Sequence, residues 1–487
     1  EIIFYLIFKE NYMKKSLSFF FLFLVLSCSK NDADDATLNL SETGLELSDF
    51  IWKGLNQYYY WQEDVPNLAN SKTDNSNEYA QFIQRNPNPK SFFESLLYAE
   101  DRFSWIVDDY IELENSFQGI VASNGMEFSL FRQEEGSNDL VGWIKYVHED
   151  SDAKSKELRR GEIFTHVNEQ LLTEDNFVDL LYSDALEYTI GMANYTNGAY
   201  ALNGRNIELI KEENFQKNPL HVQNVIEIGE HRIGYLMYNQ FASSFNEPMN
   251  EAFAEFTNQG ITELILDLRY NRGGSISTCT YLASLITGQF NNEVFAQELW
   301  NSKLMEYWQE NNEESLYNRF TNQIEGGSSL NSLQMERVFI LNSDETASAS
   351  ELLINGLKPY INVVQIGEST VGKNVGSITV YDYIDNDRTK NPNHFYAMQP
   401  IVLAIANSEG VADYTEGLVP DINRSESRIN AGVLGERDET LLAEAIRQIT
   451  GSGKTYSRDI KIMGPKIKDP LMISEQSLLI DRKIFPH

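Results

Sequence analysis

Three short apolar runs, Leu264-Ile265-Leu266-Asp267-Leu268, Val338-Phe339-Ile340-Leu341 and Val363-Val364-Gln365-Ile366, constrain the fold of this chain more than any other feature. Each has strand length and is too uniformly apolar for a sheet with one wet face. Helical patterns separate them, one running from Met249 to Gln259. Such alternation predicts βαβ units around a largely parallel sheet buried on both faces. Ile233 to Tyr238 reads as a further strand, and Asp438 to Ile449 as a closing helix with Leu441, Leu442, Ala445 and Ile449 on one face. Open α/β sheets carry their sites beyond the carboxyl ends of the strands, where Gly273-Gly274 and Ser348 both fall.

Thr346-Ala347-Ser348-Ala349-Ser350-Glu351 opens a predicted helix, and Gly372-Lys373 follows it. A helix from Ser348 to about Pro359 carries the chain roughly 18 Å away. The run Val363 to Ile366 returns it at about 3.3 Å per residue, so Ser348 and Lys373 can face each other at the top of one helix-strand unit. Serine attacks only when a neighbouring base takes its proton, and lysine serves as that base only when burial or nearby positive charge keeps its amine neutral. Ser348-x-x-Glu351 is equally a capping box, with Lys373 at the surface, and Gly273-Gly274 alone is a tight turn. On spacing, both readings stand.

Thr-Ala-Ser-Ala-Ser-Glu, the downstream lysine, and Leu264-Ile265-Leu266-Asp267-Leu268-Arg269-x-Asn271-x-Gly273-Gly274 together resemble the C-terminal processing (tail-specific) serine peptidases. The resemblance implies a crotonase-like α/β core in which Ser348 is the nucleophile and Lys373 its general base. The N–H of Ala349, with that of Gly273 or Gly274, would form the oxyanion hole, since fixed dipoles stabilise the charge of a tetrahedral intermediate. Two positions depart from the pattern: where some members carry an aspartate and a glutamine, this chain has Pro359 and Ser377. Either another group holds the lysine, with the Ser377 hydroxyl and Glu351 as candidate supports, or the chain is a slower or inactive branch.

The family commonly carries a PDZ domain, and residues 105–200 resemble one. Leu158-Arg159-Arg160-Gly161-Glu162-Ile163 leads into a strand and an Asn168-centred turn, and Thr173 starts a predicted helix through Leu181. PDZ domains bind chain ends by adding the peptide as a strand at a sheet edge. Ser116 to Ile120 and Asn124 to Phe128 are the two candidate carboxylate loops. Residues 46–104 form a helical segment, with Leu47, Phe50, Ile51 and Leu55 at helical spacing and an aromatic cluster, Tyr58 to Trp61, expected to pack against the next domain. Residues 225–450 form the peptidase domain, in which 286–332 reads as a polar insertion shaping a groove or lid, and 413–421 as structural support near the site. A C-terminal extension occupies 451–487.

Met13, Lys14-Lys15 and the apolar run Leu17 to Leu26 form a leader too short to span as a mature helix. Val25-Leu26-Ser27-Cys28 resembles a bacterial lipobox, which implies residues 13–28 as signal peptide, 1–12 as upstream translation, a lipid on Cys28 and an acidic tether over 29–45. An ordinary secretory peptide with an incidental cysteine is the other reading. The lipobox implies the bacterial cell envelope, as a lipid anchor on the periplasmic face of the outer membrane or on the cell surface.

The net charge of -33, from 72 acidic and 39 basic residues, argues against nucleic-acid partners. Six scattered histidines have no metal-ligand spacing, and no phosphate loop is present, so neither metal nor cofactor is expected. Cys279 is read as packing. Two functions remain: a serine endopeptidase cleaving exposed or C-terminal segments of proteins outside the cytoplasm, or a non-catalytic PDZ-containing scaffold lipoprotein on the same fold.

Overall fold

The computed structural model describes residues 45–452, 463–468, 470 and 478–480. The expected leader, Cys28 and the tether lie outside them. Helix α1, Glu46–Tyr58, buries Phe50, Ile51 and Leu55, the stripe read from spacing. The Tyr58 to Trp61 cluster passes over the sheet that follows it in sequence and docks instead on the later α/β region. Tyr60 N–H donates to Ile401 O at 2.8 Å, and Asn301 Nδ2 donates to Gln57 O and Tyr59 O at 3.0 and 3.1 Å.

Five main strands follow: β1 (Met126–Arg132), β2 (Leu140–Val147), β3 (Ile163–Val167), β4 (Glu187–Thr196) and β5 (Ala199–Ile210), in the order β1-β2-β3-β4-β5, with the two-residue strand Gln170–Leu171 pairing β3 beside this path. Their own core holds Leu140, Ile144, Phe164 and Ile190. The strand β5 carries this unit past residue 200, and the strand Glu212–Gln216 pairs with Ile120–Ser123. The boundary was missed because β5 is exposed along most of its length, so no apolar alternation marks it. At the other end, Trp105–Val107 pairs with Ala397–Gln399 and so belongs with the α/β region. The expected helix from Thr173 shortens to Phe177–Leu181, because Asn176 Oδ1 accepts from Thr173 N–H and holds the preceding turn.

The central sheet runs β6 (Leu220–Ile228), β7 (His231–Tyr238), β8 (Glu263–Asp267), β9 (Arg337–Asn342), β10 (Asn362–Gly367) and β11 (Ile422–Asn423), parallel from β7 onward. Successive side chains of a strand point to opposite faces. Leu236, Leu266 and Ile340 therefore pack under helices α2 (Asn246–Gln259), α3 (Ile276–Thr287) and α4 (Ala349–Leu357). Tyr235, Ile265 and Phe339 pack on the other face against α5 (Thr440–Thr450). Covering both faces explains why these strands read as unbroken apolar runs.

A second sheet has the order 274–275, 478–479, 375–377, 401–407, 294–300, 317–319. Part of the segment expected as a groove or lid, 294–300, is an inner strand of this sheet, paired to Ile401–Asn407. Trp300 and Trp308 are buried beside it. The polar composition misled because Gln297 lies in a paired strand and Glu298 is satisfied internally, by Trp300 Nε1 and Asn318 Nδ2.

Candidate active site

The turn between β9 and α4 places Ser348. Its φ of 62° and ψ of -115° are rare for a residue with a Cβ; such strain costs about 1–3 kcal/mol and persists where the surroundings over-determine it. Those surroundings are hydrogen bonds to the 268–271 loop. Thr346 Oγ1 donates to Leu268 O (2.9 Å), Ala347 N–H to Asn271 O (3.2 Å), Ser350 Oγ to the same carbonyl (3.0 Å), and Ser343 Oγ to Arg269 O. Segments 74 to 79 residues apart in sequence are thereby closed into one unit. Cys279 packs behind it, its thiol donating to Ala349 O at 3.2 Å.

The capping-box geometry is present, with Glu351 accepting from Ser348 N–H at 2.8 Å. Ser348 is fully buried, yet its Oγ makes no hydrogen bond of proper geometry. Ala349 is the first residue of α4, so its N–H has no intrahelical acceptor. Gly273 N–H donates to Asn271 Oδ1 at 2.9 Å. Gly273 O and Ser275 N–H both bond Phe241, at 2.9 and 2.8 Å, which turns the backbone groups of Gly274 to the opposite edge. Gly274 is required there: φ is 137°, and a Cβ would sit 2.3 Å from Phe241 O.

Lys373 is 1 % exposed. Burial lowers its ammonium to about 7, against the opposing pull of Asp101 and Glu351. The Phe103 ring centre lies 5.0 Å from Nζ. Glu351 is the junction of the site. Its carboxylate accepts from Thr370 Oγ1, from Gly372 N–H (2.7 Å), and, at Oε2, from both Ser348 and Lys373 N–H (2.8 Å each). The Ser348 and Lys373 backbone nitrogens are therefore no further apart than twice 2.8 Å. Burial raises the Glu351 pKa, while these donors lower it.

Ser377, the other candidate support, lies in the strand Val375–Ser377, and its carbonyl accepts from Ile480 N–H at 3.4 Å. The lysine's surroundings come partly from the N-terminal segment. Asp101 accepts from Tyr59 OH (2.7 Å), Phe103 N–H (2.8 Å) and Ser104 N–H (3.0 Å), and Arg102 donates to Gly372 O and Thr415 O at 3.0 Å each. Sequence reading missed Asp101 and Phe103, for no spacing rule links them to a lysine so far downstream. The 413–421 segment does brace the loop: Leu418 N–H donates to Thr370 Oγ1 (2.7 Å), and a Cβ on Gly372 would meet Thr415 O at 2.1 Å. A cavity of about 210 Å³ opens between β1, β2 and the Gly273-Gly274 turn, lined by Glu127, Lys145, Tyr146, Arg272 and Leu479 among others.

The profile of peptidase family S41 matches residues 232–393, and that of the S41 N-terminal domain matches 46–105. A CtpA-like serine protease of Staphylococcus epidermidis is 21% identical over 347 residues, covering 71% of this chain and 60% of its own length. One from Staphylococcus aureus is 22% identical over 354 residues, covering 72% and 59%. The chain thus spans about 60% of the length of these relatives. A Bacteroides fragilis structure described as an S41 protease shares the fold, with a TM-score of 0.61, 24% identity, and coverage of 82% of this chain and 97% of that one. In fold and in its matched segments the chain is similar to serine-type peptidases. The likeness to peptidase family S41 thus lies in residues 46–105 and 232–393.

Proposed function

We propose that the chain is a serine endopeptidase in which Ser348 is the nucleophile and Lys373 the general base, acting on exposed or C-terminal segments of proteins outside the cytoplasm. The burial that brings Lys373 to about 7 carries this reading, because a lysine base must be neutral near working pH. Lys373 takes the Ser348 proton, Oγ adds to the scissile carbonyl, and the N–H groups of Ala349 and Gly274 stabilise the oxyanion. The protonated lysine returns its proton to the leaving amine, and water then releases the acyl group from Ser348. Glu351 holds the serine and lysine backbones in one frame, in place of the partners lost at Pro359 and Ser377.

The five-stranded sheet is read as a PDZ-like module that takes substrate tails by strand addition. The lipobox-like segment supports a membrane tether through a lipid on Cys28. Cys28→Ser is expected to shift the protein from the membrane to the soluble fraction on centrifugation, and unchanged partition would refute the tether.

The missing hydrogen bond at Ser348 Oγ favours a second reading, a scaffold that keeps the fold without hydrolysis. One experiment separates the two: hydrolysis of an unstructured protein by the form starting after Cys28, compared with Ser348→Ala and Lys373→Ala. Loss of at least 1000-fold in both variants is expected. Equal rates in wild type and variants would remove the dyad, and no cleavage by a folded wild type across several substrates would leave the scaffold.

A further inference from the structure

The C-terminal extension touches this molecule at two sheet edges, and both are places where an extended peptide would add. Residues 464–467 lie antiparallel against β1, the outer strand of the five-stranded sheet. Gly464 N–H donates to Arg132 O (2.8 Å), Arg132 N–H to Pro465 O (2.9 Å) and Ile467 N–H to Leu130 O (2.8 Å). Met463 is buried in the cluster of Phe131, Val141 and Trp143. Lys466 reaches Glu345, three residues before Ser348, at 2.6 Å.

The second contact lies in the catalytic domain. Leu478–Leu479 pairs in parallel with Gly274–Ser275 on one side, and Leu479 pairs with Ser377 on the other. In the sheet order this strand is what joins 274–275 to 375–377. Removing it would leave a slot one strand wide, about 9.5 Å between backbones. Its walls are the oxyanion glycine turn and the strand that follows Lys373. The backbone N–H and C=O of Gly274 face into this slot, since the neighbouring groups are committed to Phe241. A peptide lying there meets the catalytic groups from both sides. With the strand in place Leu479 is buried, and Ser348 and Lys373 are 0 and 1 % exposed.

We propose that the C-terminal extension occupies the substrate path in cis. Residues 464–467 fill the strand-addition edge of the PDZ-like sheet, residues 478–480 fill the slot between Gly274–Ser275 and Val375–Ser377, and together they close the site to substrates in trans. The slot accordingly takes an extended peptide with an apolar side chain at the Leu479 position. This inference rests on the peptidase reading in assigning the slot to substrate. Its occupancy is testable without catalysis.

The test uses a Ser348→Ala background and a fluorescently labelled synthetic peptide with the sequence of residues 478–487. Two forms are compared by anisotropy: the full chain, and the chain ending at residue 477. The peptide is expected to bind the shortened chain at least tenfold more tightly than the full chain. With Ser348 restored, the shortened chain and the full-length Leu479→Asp variant, which puts a carboxylate at a buried position, should each cleave an unstructured protein at least tenfold faster than wild type.

Equal peptide binding to both forms, or none to a shortened chain that unfolds at the wild-type temperature, overturns the proposal. If the shortened chain does not fold, peptide binding to full-length Leu479→Asp decides in the same way. Selective peptide binding with no cleavage by any form refutes the peptidase reading and leaves the occupancy standing. Cleavage by wild type that neither change accelerates refutes autoinhibition.

Discussion

A lysine ammonium out of water is destabilised relative to its neutral amine, and Lys373 shows the consequence directly. In the proposed mechanism the neutral amine is the base, so kcat/KM is expected to rise with pH through about 7 and then level. Asp101 opposes the shift by favouring the charged form, so Asp101→Asn should move that midpoint down by about one unit; an unmoved midpoint would show that another group titrates. Stability follows the same pKa with a definite sign. Between the folded value near 7 and the ordinary 10.5 the unfolded chain binds more protons, so the cost of burying Lys373 falls as pH rises and is greatest below 7. Lys373→Met should therefore stabilise the protein by a few kcal/mol at pH 7 and by less at pH 10 in denaturant titrations. Ser348 and Lys373 were visible as residue types at a suggestive spacing. The strained φ of Ser348 was not, nor was Asp101, since both are imposed by segments distant in sequence.

The 267–275 loop is held in place chiefly by Arg269, which is fully buried. Its guanidinium forks onto Asp267 (2.7 Å) and Glu439 (2.6 and 2.9 Å) and also reaches Glu426 (2.9 Å). Glu439 in turn caps α5 through the N–H groups of Leu441 and Leu442, so one arginine ties the 267–275 loop to the closing helix. Removing it takes the closest cation from Asp267 and Glu439, while Glu426 keeps Arg160. Arg269→Ala is expected to cost about 3–5 kcal/mol in urea unfolding with the slope unchanged, and a loss under 1 kcal/mol would show that the network is dispensable. The strands β7 to β10 were legible because burial on both faces leaves an apolar run. Strand β5 and the 294–300 strand were hidden, one by exposure and the other by polar residues whose partners lie elsewhere in the fold.

At the scale of the molecule, Glu345 joins parts that are far apart in sequence. It receives Ser129 Oγ (3.0 Å) and Lys145 Nζ (3.1 Å) from the five-stranded sheet, Arg272 (3.1 Å) from beside the glycine turn, and Lys466 (2.6 Å) from the C-terminal extension. These cations hold its carboxyl far below the usual carboxylate range despite burial. The sheet, the glycine turn and the extension thus share one charge centre, three residues from Ser348. A tail seated on β1 is fastened to an acid in the turn that leads to Ser348.

The sequence by itself determined the buried parallel sheet, its helices and the positions of Ser348, Lys373 and the glycine pair, because hydrophobic period and local turn chemistry are written in adjacent residues. Only the tertiary structure decided what surrounds them. The frame around Glu351, the depressed lysine, the N-terminal segment's share in the site and the C-terminal strand in the slot all depend on burial and on pairings between distant segments. Those are properties of the packed chain, for which the one-dimensional pattern carries no local signal.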